Sequence, residues 1–183
     1  MTDTAIEILL NKQAITEVLY RYCRAMDRID RDMTLSIWHP DGTCNYSSTE
    51  GVADMLFRDY LVGSTKARQG FANHSHQITN ILIELSDSPG GDRAASEAYF
   101  TASLQTVPAD GTVLEHLWRG RYLDRWSRRD GIWAIDHRQV VFDSYTPYEF
   151  SAARLEGMPL ALSRRDRDDP SYKHMAGRDF EKG

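Results

Sequence analysis

Apolar residues recur at three- and four-residue spacings through Ile6, Leu10, Ala14, Ile15, Val18, Leu19, Tyr22, Cys23 and Met26, the stripe of an amphipathic helix. The spacing predicts one long helix from Thr4 to Ile29. After Asp30 and Asp32, it predicts a short second helix through Leu35, Ile37 and Trp38. The run His39-Pro40-Asp41-Gly42 reads as a stop followed by a turn, since proline disfavours helix in its predecessor and Asp-Gly suits a tight reversal. A short strand from Thr43 to Tyr46 follows. Next comes a third helix from Gly51 to Leu61, with Val52, Met55, Leu56 and Tyr60 on one side; the segment from Gly63 to Asn73 is polar and less regular.

Beyond that point the period changes. Four β-rich segments are expected: His76 to Leu85, Ala94 to Val107, Thr112 to Trp126 and Ile132 to Tyr145. Ser88-Pro89-Gly90-Gly91, Pro108-Ala109-Asp110-Gly111 and Arg129-Asp130-Gly131 have the composition of hairpin turns between them. Helices first and a long meander afterwards predict an α+β fold with the sheet closing over the helices. One domain is expected over 1–150. The extension 151–183 is charged and interrupted by Pro170; it is expected to be partly ordered, or to wrap the pocket or a neighbouring subunit.

The strand faces carry more chemistry than a plain core needs. His116, Trp118, Tyr122 and Trp126 share one parity; Glu97, Tyr99 and Thr101 share another; Arg138 alternates with Asp136, Val140 and Phe142. Aromatic and ionisable groups mixed on a concave face suit a ligand cavity, and the same mixture also suits a solvent or oligomer surface.

The 183 residues are 41% hydrophobic and 27% charged, in the range of globular domains. A net charge of −5, with both signs interspersed, gives no footprint for nucleic acid. Cys23 and Cys44 are too few for a disulfide framework and wrongly spaced for zinc. With no leader-like start and no membrane-spanning run, a cytoplasmic protein with no membrane partner is expected. Gly90-Gly91 lacks the context of a phosphate loop, and Arg128-Arg129 and Arg164-Arg165, neighboured by aspartates, read as hydrated faces.

Two segments hold the candidate reaction chemistry: Tyr22 and Asp27 near the end of the first helix, and His74-Ser75-His76 entering a strand. A carboxylate that accepts from one imidazole nitrogen fixes the other as a base and stabilises the imidazolium that forms. His74 and His76 would share a strand face, but without a third ligand they do not make a metal site.

The helix Ala14 to Tyr22 running into Ala25-Met26-Asp27-Arg28-Ile29-Asp30, the turn at Trp38 to Gly42, the run His76 to Asn80 and the hairpin Tyr122 to Ile135 together resemble the SnoaL-like branch of the nuclear transport factor two-like superfamily. The resemblance implies a cone: N-terminal helices packed against a strongly curved, mainly antiparallel sheet enclosing an apolar pocket. In members resembling bile-acid 7-alpha-dehydratase, scytalone dehydratase and hexachlorocyclohexane dehydrochlorinase, a pocket histidine takes a proton and a first-helix aspartate orients it. By motif those roles fall on His76 and Asp27, with Tyr22 polarising a substrate oxygen.

Arg138, Tyr99, His116, Trp118, Trp38 and His74 are the expected substrate contacts, whereas Trp126 and Trp133 read as packing and His39 as turn structure. The function implied is a cofactor-independent, metal-free lyase removing water from a small apolar or aromatic hydroxylated molecule, as a homodimer or homotrimer. A formaldehyde-releasing lyase on a lignin-derived aromatic, an isomerase of a cyclic substrate, a non-catalytic ligand-binding domain and a dioxygenase small-subunit-like assembly domain are the alternatives.

Overall fold

The structure is a computed structural model that describes residues 3–47, 52–86, 91–109, 112–151, 159 and 162–176. Helix α1 (Asp3–Asp27) and the short α2 (Arg31–Ser36) lead into strand β1 (Trp38–Asn45), a two-residue β2 (Met55–Leu56) and helix α3 (Phe57–Gln69). Four longer strands follow: β3 (Asn73–Leu85), β4 (Arg93–Thr106), β5 (Thr112–Arg129) and β6 (Ile132–Ser151), before a terminal helix α4 (Pro170–Ala176).

The six strands form one sheet in the order β2-β1-β6-β5-β4-β3. The β3 to β6 meander is antiparallel, whereas β1 runs parallel to β6. The α+β class stands, but the expected strongly curved, enclosing cone does not. The sheet is mixed and open, with β2 at one edge and β3 at the other, and it does not close over the helices. A pocket still arises, because α1 and α3 cover one sheet face. Ile15, Val18, Leu19, Tyr22, Cys23 and Met26 on α1 pack in one core with Phe57 and Leu61 of α3 and the sheet's inner residues.

Several local expectations are also corrected. Trp38 begins β1 rather than ending the second helix, and His39 to Gly42 lie inside that strand. Trp38 pairs with Ile135 and Thr43 with His137, so the turn-like tetrapeptide is absorbed as a bulge in β1. Gly42 is required there: a Cβ would sit 2.9 Å from both the His39 and Ile135 carbonyl oxygens. The third helix starts at Phe57 and consumes most of the segment expected to be irregular. Asp130 (φ 52°) and Gly131 (φ 79°) make the two-residue hairpin turn that the sequence predicts. Residues 87–90 and 110–111, in the other two expected turns, lie outside the described residues, as do 48–51 at the expected start of the third helix.

The end of α1 positions the site. Ile29 takes a left-handed conformation (φ 53°), its N–H donating to the Met26 carbonyl and the Asp30 N–H to that of Ala25. This is the paired-bond helix stop usually served by glycine. Asp30 then caps α2 by accepting from the Met33 N–H at 3.2 Å. The stop leaves Asp27 as the last residue of α1, one turn beyond Cys23 on the buried stripe, where it faces β3.

Candidate functional site

Between α1, α3 and the inner sheet face lies a cavity of roughly 270 Å³. Tyr22 and Met26 enter it from α1, Tyr60 and Ser64 from α3, and Tyr46 and Phe71 from the segments flanking α3. The sheet contributes His74 and His76 from β3, then Phe100, Ala102 and Leu104 from β4. Trp118 and Tyr122 of β5 and Val140 and Phe142 of β6 complete the wall. Register explains the selection: His74 pairs with Leu104, His76 with Ala102 and Ile78 with Phe100, so even-numbered residues of β3 and β4 share the inward face.

Asp27 and His76 meet directly, Nδ1 to Oδ1 at 2.6 Å. The His76 backbone N–H also donates toward both Asp27 oxygens, at 3.2 and 3.1 Å. Since a carboxylate only accepts, Nδ1 of His76 carries a proton in this contact, and in the neutral ring Nε2 keeps the lone pair. Asp27 is 8% exposed, so the contact is sheltered from water.

Tyr22 stands edge-on to His76 with ring centroids 6.3 Å apart, and its hydroxyl lies 3.1 Å from that of Tyr46. Burial, followed by the neighbouring Tyr22 phenol, pushes the Tyr46 and Tyr122 hydroxyls well above their ordinary pKa, so both remain protonated. Burial, assisted by the Asp27 charge, pushes the Cys23 thiol up to about 12, which keeps it from serving as a thiolate nucleophile near neutrality.

The other expected contacts divide. His74 and Trp118 line the cavity. His116 is on the same face but farther out, held between the Thr106 hydroxyl (3.0 Å) and the Tyr145 hydroxyl (2.8 Å), and it is not part of the wall. Tyr99 is corrected to the opposite sheet face, 40% exposed and beneath the Arg121 guanidinium, because strand alternation turns Phe100 inward instead. Trp38 is corrected to the core, stacked on Phe57 at 3.8 Å.

Arg138 is a further correction. It is wholly buried behind the wall, paired with both Asp124 oxygens at 2.7 and 2.8 Å and flanked by the Tyr22 and Tyr122 rings at 4.2 and 4.0 Å. It sets the positions of two lining tyrosines rather than reaching a substrate. Trp126 and Trp133 are buried in packing positions, donating to the Ser96 hydroxyl and the Asn11 side chain.

Sequence reasoning missed Tyr46, Tyr60, Phe71, Phe100 and Phe142. The inward parity of Phe100 and Phe142 was available in the strand pattern; Phe71 sat in a stretch without periodicity. Among the described residues, no three His, Cys, Asp or Glu side chains cluster as metal ligands would, and no helix is long and apolar enough to cross a membrane.

Residues 162–176 lie against this site. Asp30 accepts from the Tyr172 hydroxyl (2.7 Å) and Arg167 (3.1 Å), and Arg24 donates to Ser171 (2.9 Å). Asp169 accepts from the Arg164 N–H at 2.9 Å and lies 3.5 Å from Arg28. Burial pushes the Asp30 carboxyl up, but the Tyr172 and Met33 hydrogen bonds and the Arg167 and Arg24 charges outweigh it and leave it below the ordinary carboxylate value. Backbone and Ser171 hydrogen bonds hold Asp169 lower still.

A depressed carboxyl contributes stability above its unfolded value, and that contribution is lost as pH falls through the folded one. Docking of 162–176 is therefore expected to weaken below about pH 4, near the unperturbed carboxyl value. Attached through Lys173→Cys, a dye should lose anisotropy there while tryptophan fluorescence stays native; Cys23 and Cys44 are both buried. Tyr172→Phe should move the loss to milder acid. Anisotropy unchanged at pH 3 in both proteins would remove the carboxylates from this role.

Residues 7–139 match the family model of the SnoaL-like domain. No curated protein matches the chain significantly. Among solved structures, a Kribbella flavida protein is similar at 20% identity and TM-score 0.67, covering 76% of this chain and 95% of its own. A scytalone dehydratase candidate from Novosphingobium aromaticivorans is similar at 21% identity and TM-score 0.65, covering 81% and 92%. A hexachlorocyclohexane dehydrochlorinase from Novosphingobium barchaimii is similar at 18% identity and TM-score 0.65, covering 79% and 94%. At these identities the likeness is one of fold.

Proposed function

Because this chain belongs to the SnoaL-like domain family, we propose that it is a lyase that eliminates water from a small, uncharged, aromatic or otherwise apolar hydroxylated molecule. The observation that carries this reading is the Asp27–His76 hydrogen bond at the wall of an aromatic-lined cavity. In the proposed reaction Nε2 of His76 takes a proton from carbon, and the C–H electron pair forms the new double bond. The C–O bond breaks, and its oxygen leaves as water after receiving the proton back from the imidazolium. Asp27 stabilises that imidazolium between the two transfers, and Tyr22 donates a hydrogen bond to a substrate oxygen.

The surroundings support the substrate class. Among the described residues, the lining includes no Lys, Arg, Asp or Glu, so an ionic substrate would lose hydration without gaining a partner there. Tyr60, Phe71, Phe100, Trp118 and Phe142 offer faces and edges for ring packing. The volume lies just under the ~300–1,000 Å³ usual for ligand pockets, which favours one or two rings over a large polycycle. Two similar structures bear names that describe loss of a small molecule from a carbon skeleton, a dehydratase and a dehydrochlorinase. Incubation with a panel of hydroxylated aromatics, followed by mass spectrometry, should reveal a product lighter by one water. A product lighter by formaldehyde would move the broken bond to carbon–carbon, and tight binding without turnover would replace the lyase reading with a binding one.

A further inference from the structure

The aromatic surface does not end at the cavity wall. Strand register places His76 of β3, Ala102 of β4, Trp118 of β5 and Tyr145 of β6 in one row across the sheet. The first three line the cavity, and Tyr145 is the next residue outward. Its ring lies 4.3 Å from that of Trp118 at a 31° tilt, while Phe142 of the wall stands edge-on to Trp118 at 5.4 Å. Phe142 and Tyr145 share the face covered by the helices, yet they are 40% and 44% exposed. The helices thus leave this end open, and the three rings form a shelf continuous with the cavity.

The shelf is also held in place. Nδ1 of His116 lies 2.8 Å from the Tyr145 hydroxyl, and the two rings are nearly parallel with centroids 6.0 Å apart. The other His116 nitrogen is engaged by the Thr106 hydroxyl at 3.0 Å. With both nitrogens occupied, His116 acts on a ligand only through Tyr145. Single exposed aromatics are ordinary on a protein surface. Three in mutual contact, opening from an apolar cavity, mark a binding surface, and a ring already fixed loses little freedom when a ligand covers it.

We propose that this shelf is an outer subsite for a second aromatic ring of the substrate, with Tyr145 as a specificity-determining residue and His116 as the residue that positions it. The inference rests on the lyase reading only for which part of the molecule reacts. That part lies over Ala102, whose methyl side chain leaves space between His76 and Trp118, and the second ring lies on Trp118 and Tyr145. Neighbouring strands are ~4.8 Å apart, so the three strand steps from His76 to Tyr145 amount to about 14 Å. One ring does not span that distance; two rings joined by a short linker do. The substrate class narrows accordingly, from hydroxylated aromatics in general to elongated, uncharged two-ring molecules.

Calorimetric titration of the full chain with benzyl alcohol and with 4-benzyloxybenzyl alcohol tests the subsite. The second compound repeats the first and adds a ring on a two-atom linker. Neither has a hydrogen on the carbon next to the carbinol, so neither is consumed by loss of water. The native chain should bind the two-ring compound more tightly, and Tyr145→Ala should shrink the ratio of the two affinities by about three- to tenfold, the worth of an aromatic contact. Tyr145→Phe, which keeps the ring, should retain most of the ratio, and His116→Ala should lower it by a smaller factor. Tyr145 is exposed, so its truncation leaves the core intact. A native chain that binds both compounds equally, or a ratio unmoved by Tyr145→Ala, would overturn the proposal. If the ratio stays and sedimentation shows Tyr145→Ala dissociating an oligomer of the native chain, the shelf belongs to a second copy instead. Failure of the lyase reading is separate: it would show as the expected ratios with no turnover across the substrate panel.

Discussion

Replacing His76 with alanine is expected to lower turnover of any substrate found by ~100- to 10,000-fold, the usual worth of a positioned acid–base group, while leaving the fold in place. The cavity-facing imidazole is the lost element. Asp27 is not orphaned by the change, since it still accepts from the backbone N–H of residue 76 at 3.1 and 3.2 Å and lies 3.9 Å from Arg28. Circular dichroism and the unfolding midpoint should therefore change little. Asp27→Asn should reduce turnover as well, by loosening the hold on the Nδ1 tautomer and removing the charge that stabilises the imidazolium. Steady-state rates on the identified substrate decide the matter, and a His76→Ala protein with native turnover would end the acid–base assignment.

The largest effect on stability is expected at the opposite side of the lining tyrosines. Arg138 and Asp124 are both fully buried and joined by two hydrogen bonds. Asp124→Asn leaves the Arg138 charge uncompensated away from water and should cost ~3–5 kcal/mol, the range for breaking one partner of a buried pair. Replacing both residues by apolar side chains of similar volume should cost far less, because it removes the charge together with its partner. Denaturant unfolding of the two variants gives the comparison. A loss under ~1 kcal/mol for Asp124→Asn would place the pair among weak surface-type bridges, contrary to its burial. Binding should suffer alongside stability, since Arg138 lies between the rings of Tyr22 and Tyr122 and both belong to the cavity wall.

Much of the architecture was legible because it depends on periodicity. The α1 stripe from Ala14 to Met26, the four long strands and the Asp130-Gly131 turn follow from local spacing and backbone preference, whereas Ile6 and Leu10 of the expected stripe are exposed. Errors concentrated where a long-range partner overruled a local signal. His39-Pro40-Asp41-Gly42 has turn chemistry, yet it bulges within β1 because β6 supplies a parallel neighbour. Ile29 is a poor left-handed residue, yet the α1–α2 junction holds it there.

The same division runs through the site. Side-chain parity grouped Trp118 with Tyr122 and Val140 with Phe142 on their own strands, register between β5 and β6 joined them in one wall, and helical spacing carried Asp27 onto the stripe of Cys23. Arg138 looked like a substrate contact because sequence reports charge and parity but not depth, and depth is what makes it a buried support. Tyr99 failed for a simpler reason: strand alternation placed Phe100 inward in its stead.

The order of the three N-terminal helices and the four long strands, the aromatic wealth of the second half and the two segments bearing Asp27 and His76 follow from the sequence by itself, because each is encoded over a few residues. Whether the sheet opened or closed was decided only by tertiary pairing, as was which polar groups lay within hydrogen-bond reach and which arginine of the C-terminal segment (Arg165 rather than Arg164) turned toward His74. Periodicity fixes the direction of a side chain relative to its own element. Distances between residues as far apart as Asp27 and His76, or Phe71 and Arg165, arise only when separate elements pack.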